Sequence, residues 1–201
     1  MKKAYFYGLF VCLLMIMQQP TQAMSYPKMN AYMEKLVKYK TWKSDKKTDY
    51  YKLKKGTILV TPDLYKGKFP LGHSAIVYSK EKVIEAVKEG VVLGANHWVR
   101  DKRYTIALRV KGLNDKQHNQ AADYAYKQKG KPYTVWFYDT ATRNFWYCSK
   151  LVWASFYDLF KVNIDTKEWK QAGKDKVAMI HPMELVASTL TQKVFYYDKG
   201  K

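Results

Sequence analysis

Two short stretches contain residue types that could act together as a nucleophile and a base. Cys148 opens a stretch in which mostly apolar residues recur at the spacing of one helix face, namely Leu151, Val152, Ser155, Phe156 and Leu159. We therefore predict that Cys148 lies in the first turn of a helix, where unpaired N–H groups and the positive dipole end favour a thiolate. The second stretch, 72–78, has a strand pattern and contains His73 near its start. A thiol and an imidazole brought together in this way are the nucleophile and the base of cysteine catalysis.

A predicted hairpin supplies a third candidate residue. If residues 79–81 form a three-residue loop, Ala75 faces Glu85, and alternation places His73, Ala75 and Glu85 on one face of the sheet. Glu85 is then the diagonal neighbour of His73, about 7–8 Å away between α-carbons. A carboxylate there can accept the imidazole N–H and stabilise the imidazolium. The alternative is a solvated charge on an exposed strand, but the predicted neighbours of Glu85 on this face are apolar.

The first 23 residues have the pattern of a secretory signal peptide. Lys2 and Lys3 precede an apolar run, 4–17, that is too short to predict a membrane span, and small residues end the segment at Ala23. An uncleaved anchor helix is the alternative. We predict cleavage, a mature domain over 24–201 without a transmembrane span, and a secreted or cell-envelope location.

Cleavage would also leave a single thiol. Cys12 lies inside the predicted leader, so Cys148 becomes the only cysteine and no internal disulfide can form. An unused thiol is a liability in an oxidising compartment. The cysteine by itself still allows two interpretations, a catalytic nucleophile or an inert, buried side chain that packs as a small hydrophobe.

The charge and composition limit the class of protein and its partners. Hydrophobic residues make up 47% of the 201 residues, which is ample for one globular core. The formal net charge of +19 falls to +17 once Lys2 and Lys3 are removed. A positive field of this size attracts anionic polymers, so we predict diffuse binding to an anionic envelope polymer. No nucleic-acid recognition motif is present, and we expect no specific nucleic-acid site.

The order of the predicted elements indicates an α+β fold, with helices packed on an antiparallel sheet. Helices are predicted over 25–40, 115–129, from Cys148 onward and over 182–190. Strands are predicted over 56–61, 73–78, 82–87, 91–93, 105–110 and 193–197. Residues 41–55 read as a polar surface connection, and 161–179 as irregular chain.

Four segments in this order resemble a known family, the NlpC-type papain-like hydrolases in circularly permuted order, and most closely the YiiX/YycO-like branch. They are Gly-His-Ser-Ala-Ile-Val-Tyr at 72–78, Val-Ile-Glu-Ala at 83–86, Gly-Lys-Pro-Tyr at 130–133 and Tyr-Cys-Ser-Lys-Leu-Val at 147–152. The permutation places the histidine strand before the cysteine helix. The resemblance covers about 56 to the helix at 182, and it implies the permuted papain-like fold. It also implies that Cys148 is the nucleophile, His73 the base, Glu85 the orienting group and Tyr133 a residue lining the active site.

The sequence departs from the family pattern beside the nucleophile and at the third position. Tyr147 and Lys150 stand where the unpermuted family usually has aspartate and glycine, and Glu85 stands where histidine is common. These departures leave the catalytic chemistry intact. The resemblance implies a peptidase or amidase, and we predict cell-wall peptide amide bonds as substrate. Two alternatives stay open: a lipid or N-acyl hydrolase or acyltransferase using the same triad, and a non-catalytic protein that binds the envelope through its basic surface.

The remaining aromatic and histidine residues have weaker predicted roles. Trp136 and Trp146 flank the cysteine region; such residues are usually core, but both could line a substrate cleft. The other histidines, His97, His118 and His181, show no metal-ligand spacing, so we expect no metal site and no cofactor. His181, which precedes Pro182, is predicted to begin a helix.

Overall fold

The computed structural model describes residues 41–64, 71–137, 139–166 and 179–201. The predicted signal peptide over 1–23 and the predicted helix over 25–40 lie outside these residues. Within the described ranges, every helix is too short or too polar to cross a membrane.

A six-stranded antiparallel sheet forms the centre of the described chain. The strands are β1 (Ile58–Thr61), β2 (His73–Val77), β3 (Lys82–Val87), β4 (Gly90–Ala95), β5 (Tyr104–Val110) and β6 (Thr191–Asp198). Their order across the sheet is β4-β3-β2-β1-β5-β6. β1 and β2 are central strands, and residues 58–61 of β1 are all buried, as expected for a strand covered on both faces.

The described helices are α1 (Lys47–Tyr50), α2 (Trp98–Asp101), α3 (Asp115–Lys127), α4 (Cys148–Phe160) and α5 (Pro182–Ala187). The sequence predicted α3, α4 and α5, and His181 caps the start of α5 as expected. The short helices α1 and α2 were missed, because four residues are too few for the helical period to show.

The prediction that 41–55 is a polar surface connection holds for most of its side chains but missed the helix α1 and one buried residue. The side chain of Tyr50 is 1% exposed and packs into a hydrophobic cluster on one face of the sheet. Lysines flank Tyr50 in the sequence, so no apolar pattern indicated that its side chain is buried.

The sheet carries a hydrophobic core on each face. The larger core lies between the sheet and helices α3, α4 and α5, and it contains Ile58 and Ile76. The smaller core, on the other face, contains Ala75, Val83 and Trp98. Two faces are covered because side chains alternate along each strand and both sets are apolar here.

Helix α4 is more deeply buried than one apolar stripe predicts. Residues 149–156 are all buried, because the helix contacts the sheet, α3 and α5 together. Leu159, which the sequence pattern assigned to the inner face, is 43% exposed. The helix ends in a left-handed residue, Lys161.

The hairpin between β2 and β3 has the register that the sequence predicted. Ile76 pairs with Ile84 and Val77 with Val83. The Tyr78 N–H donates to the Lys82 carbonyl, which closes the hairpin at 2.9 Å. Strand alternation therefore assigns His73 and Glu85 to one face of the sheet.

Candidate active site

Cys148 is the first residue of α4, and the chain enters the helix through two anchored neighbours. The buried Tyr147 hydroxyl accepts a hydrogen bond from the Ile180 N–H at 3.1 Å. The Ser149 hydroxyl donates to the Ile180 carbonyl at 2.5 Å. Both residues are buried, whereas Cys148 is partly exposed. The two bonds to one residue fix the start of the helix at Cys148.

His73 contacts both other members of the predicted triad. Its Nε2 lies 2.6 Å from Oε2 of Glu85, and its ring also hydrogen-bonds to Cys148. With Nε2 engaged by Glu85, Nδ1 is the nitrogen left for the thiol. The imidazole can do this because His73 begins β2, at the end of the sheet beside the first turn of α4.

The electrostatics of the group favour a thiolate–imidazolium pair. Burial by itself lowers the pKa of His73, but hydrogen bonds to Cys148 and Glu85, and their negative charges, raise it from 6.5 to about 9. Burial raises the pKa of the Cys148 thiol, but the bond to His73 and its positive charge outweigh this effect and hold the pKa below its ordinary value. Both shifts have the direction that activation of a cysteine nucleophile requires.

Ser74 is a site residue that the sequence analysis missed. Its backbone and its hydroxyl both interact with Cys148 and lower the pKa of the thiol. Alternation along β2 turns Ser74 toward the face beneath α4, opposite to the face of His73. In the sequence, Ser74 stands out only because it follows His73. Its contact with Cys148 can be recognised only once the position of α4 is known.

The His73–Glu85 pair is enclosed by two further residues that the sequence did not indicate. The indole ring of Trp98 stacks on the imidazole of His73, with ring centroids 5.7 Å apart and an interplanar angle of 20°. Gly94, on the strand beside Glu85, leaves the space that the carboxylate occupies. The side chains of His73 and Glu85 are accordingly only 20% and 17% exposed.

The three predicted substrate-binding aromatics occupy different environments. Tyr133 is partly buried and forms an isolated parallel bridge with Trp146, two residues before Cys148. Trp136 is 65% exposed. Trp146 is fully buried in the larger core and has no exposed surface for a substrate, so the prediction that it lines a substrate cleft is not supported. The Arg143 guanidinium and the Lys150 ammonium lie 5.8 and 5.6 Å from the centre of its ring.

An arginine holds the loop before the nucleophile against α4. The Arg143 guanidinium donates through Nε and Nη2 to Asp158 at 2.6 and 2.7 Å. Its Nη1 also donates to the carbonyls of residues 140, 141 and 142, at 2.7 to 3.2 Å. A bidentate pair of this kind is geometrically specific. The clamp ties the loop to the helix that carries Cys148.

The described residues contain no cluster of three or more histidine, cysteine, aspartate or glutamate side chains that could hold a metal ion. Each remaining histidine has another contact: His97 with Arg100, and His118 with the Val110 N–H. His181 caps α5 by accepting from the Met183 N–H. The absence of a metal or other cofactor stays a prediction.

Comparisons with known proteins agree with this architecture. A comparison with curated proteins gives no match. The crystal structure of YiiX from Escherichia coli O157:H7, described as a metalloprotein, superposes with a TM-score of 0.54. The two chains are 20% identical, and the match covers 70% of this chain and 96% of YiiX, which establishes a shared fold. Residues 68–199 match the model of the permuted papain-like amidase enzymes, the YaeF/YiiX or C92 family.

The match begins just before the histidine strand, at residue 68, and ends at residue 199, so it spans His73, Glu85 and Cys148. It also covers well over half of the chain. The permuted order, with the histidine strand ahead of the cysteine helix, is the order observed here. The chain therefore belongs to the YaeF/YiiX (C92) family of permuted papain-like amidases.

Proposed function

We propose that the protein is an exported cysteine amidase or peptidase that uses Cys148, His73 and Glu85 as its catalytic triad. The observation that carries the proposal is the position of His73, which bonds to Glu85 on one side and to Cys148 on the other. This is the connectivity that a base needs to activate a nucleophile and keep its own tautomer.

In the proposed mechanism, the Cys148 thiolate attacks the carbonyl carbon of an amide, while His73 holds the proton as imidazolium. The Cys148 backbone N–H, at the start of α4, donates to the developing oxyanion; one such donor is worth about 2.7–4 kcal/mol in other hydrolases. His73 passes its proton to the leaving amine as the C–N bond breaks. Water, deprotonated by His73, then cleaves the thioester and releases the acid.

The proposed substrate is a peptide amide bond of the cell wall. Family membership supports amide chemistry, and the predicted signal peptide supports export to the compartment where the wall lies. The net charge of +17 on the mature chain supports a diffuse attraction to anionic envelope polymers. Tyr133 and the exposed Trp136 are the candidates for contact with the substrate.

A second candidate activity is hydrolysis or transfer of an acyl group from a lipid or an N-acyl compound. One observation favours it: Trp136 and Phe145, in the loop before Cys148, are 65% and 47% exposed. Exposed aromatic side chains can bind an apolar chain. The same triad would carry both reactions, because both pass through an acyl-enzyme.

Product analysis distinguishes these activities. Purified protein is incubated with isolated wall fragments and, separately, with acylated lipids, and the products are identified by mass spectrometry. We expect new amines and carboxylates from wall peptides, and none with Cys148→Ala or after alkylation of Cys148. Release of fatty acyl groups alone would support the second candidate. Products that persist in Cys148→Ala would contradict the catalytic role, and no products from either substrate would favour a binding protein.

A further inference from the structure

We propose that Trp98 is a positioning residue of this site: it fixes the plane of the His73 imidazole and keeps water from the His73–Glu85 hydrogen bond. The inference rests on the proposed function for its catalytic meaning. The pKa of His73 and the reactivity of Cys148, which it predicts, can be measured without any substrate.

The contact between the two rings carries the inference. The rings of Trp98 and His73 are stacked at 5.7 Å with 20° between their planes, within the range that offset aromatic pairs prefer. Trp98 is 3% exposed, so its large side chain lies between the imidazole face and the core instead of at the surface. A ring held on one face restricts rotation of His73 away from Glu85.

Trp98 is itself held in place by groups that do not depend on His73. Asn96, two residues earlier, donates from its backbone N–H to the Glu81 carbonyl at 2.8 Å and from its side chain to the Lys80 carbonyl at 3.0 Å. Its side-chain oxygen accepts from the Tyr50 hydroxyl. These bonds tie the chain before α2 to the β2–β3 hairpin, which carries both His73 and Glu85. The position of Trp98 is therefore fixed by bonds that do not involve His73.

Trp98 affects the charge on His73 in two ways. The π face of an indole attracts a cation within about 6 Å, which favours the imidazolium. Excluding water also strengthens the ionic hydrogen bond to Glu85, because the local dielectric constant is lower. Burial alone acts in the opposite direction and lowers the pKa of His73. The ion pairing with Glu85 and Cys148 outweighs it, so losing Trp98 should favour neutral His73.

The other charged groups around the pair belong to different elements. Cys148 lies on α4 and Glu85 on β3, while the Lys102 ammonium lies over the Trp98 ring at 5.8 Å, following α2. Burial is the main cause that raises the pKa of Tyr50, on α1, and the charge of Glu85 adds to it. A substitution at Trp98 leaves the side chains of Cys148, Glu85 and Tyr50 unchanged, and among these charged groups it removes only the contact of Lys102 with the indole.

The test is a graded series, Trp98→Phe and Trp98→Leu, with Phe195→Leu as control. Phe195 is 2% exposed in the same core and packs on Tyr50, so its truncation removes a comparable buried contact. Three quantities are measured: the pKa of His73 and the exchange of its ring N–H by NMR, the pH midpoint of iodoacetamide labelling of Cys148, and the thermal unfolding midpoint.

We expect Trp98→Leu to lower the pKa of His73 by about one unit, to raise the labelling midpoint of Cys148 and to accelerate exchange of the ring N–H. Trp98→Phe, which keeps an aromatic face, should show the same changes with smaller amplitude. Phe195→Leu should lower the unfolding midpoint without either shift. If Trp98→Leu does not fold, the shifts measured in Trp98→Phe test the inference.

An unchanged His73 titration and labelling midpoint in the folded Trp98 variants would overturn the inference, as would equal shifts in Phe195→Leu. Failure of the proposed function would appear differently. In that case turnover would persist in Cys148→Ala, while the effects of Trp98 on His73 and Cys148 would remain.

Discussion

The carboxylate of Glu85 occupies the space that a side chain at Gly94 would need. A Cβ built on Gly94 would lie 2.5 Å from Oε1 of Glu85, closer than real contacts allow. The Gly94 backbone is not in the left-handed region, so alanine is conformationally acceptable there. Since the obstructing atom is the end of a flexible side chain, we expect the carboxylate to move and the fold to survive.

Gly94→Ala should therefore reduce turnover by displacing Glu85 from His73. A catalytic group misplaced by about 1 Å can lower the rate roughly 10²-fold, so we expect a 10- to 100-fold fall in kcat/KM. Gly200→Ala is the matched control, because it adds the same methyl group far along the chain, near Asp198. The double variant Gly94→Ala, Glu85→Gln should be no slower than Glu85→Gln. Additive losses would mean that Gly94 acts elsewhere.

Glu85→Gln tests the third member of the proposed triad. Glutamine keeps the shape but removes the negative charge that stabilises the His73 imidazolium, so turnover should fall by roughly 10²–10⁴. The labelling midpoint of Cys148 should rise, because a weaker imidazolium lowers the thiol pKa less. Glu85→His should retain more activity, since imidazole can also accept the His73 N–H.

Glu81→Gln provides the control for loss of a carboxylate in the same hairpin, because Glu81 is exposed. Its turnover and labelling profile should match those of the parent. If Glu85→Gln also matches the parent in both measurements, the catalytic group reduces to a dyad of Cys148 and His73.

The pH dependence of Cys148 reactivity follows from the two shifted pKa values. The thiolate is lost when the pH falls through the lowered pKa of Cys148. The imidazolium is lost when the pH rises through about 9, the pKa of His73. We therefore expect a bell-shaped profile of kcat/KM whose alkaline limb lies near pH 9, and iodoacetamide labelling with a midpoint below about 8.5, the value for a free thiol. A labelling midpoint at or above the free value would indicate a structural cysteine.

Lys150→Met should stabilise the protein. The Lys150 side chain is fully buried, its Nζ lacks a hydrogen-bond partner within the described residues, and its ammonium lies 5.6 Å from the centre of the Trp146 ring. An unsatisfied buried polar group costs about 1–3 kcal/mol, and methionine keeps much of the apolar stem. Thermal and denaturant unfolding measure the gain, with Lys88→Met, at an exposed turn, as control.

The sign of the pH dependence checks the cause of this gain. Burial lowers the pKa of Lys150 from 10.5, so the unfolded chain binds the proton more tightly than the folded protein. Parental stability should rise with pH between the folded and unfolded pKa values. The advantage of Lys150→Met should be largest below the folded pKa and shrink toward pH 10.5. A destabilised variant would show that the ammonium has a partner in solution.

Binding to isolated cell walls tests the proposed role of the net charge. Attraction between exposed charges is screened beyond about 8–10 Å at 0.10–0.15 M salt, so wall binding should weaken steeply with ionic strength. Sedimentation of the mature protein with walls at increasing salt measures it, and Cys148→Ala separates adsorption from turnover. Binding that persists in molar salt would indicate a specific pocket instead of diffuse attraction.

Local sequence patterns determined the main elements and the members of the candidate triad. The helical period after Cys148 and the strand pattern after His73 are short-range signals, and both elements form as predicted. Hairpin register is also local, because the length of the loop sets which residues face each other. Glu85 could therefore be assigned to the face of His73 before the fold was known.

The surroundings of the triad were decided only by the tertiary structure. Trp98 stacks on His73 because α2 folds back onto the β2–β3 hairpin, and this contact between residues distant in the sequence leaves no periodic trace. Gly94 pairs with Val83 in the local β3–β4 hairpin, but its role depends on where the Glu85 carboxylate points, which is seen only in the structure. Trp146 is completely buried in the larger core and Lys150 lies against its ring, which the local pattern before and after Cys148 did not indicate. Periodicity reports which face of one element is apolar, whereas burial depends on every element that covers it, and only the assembled core contains that information.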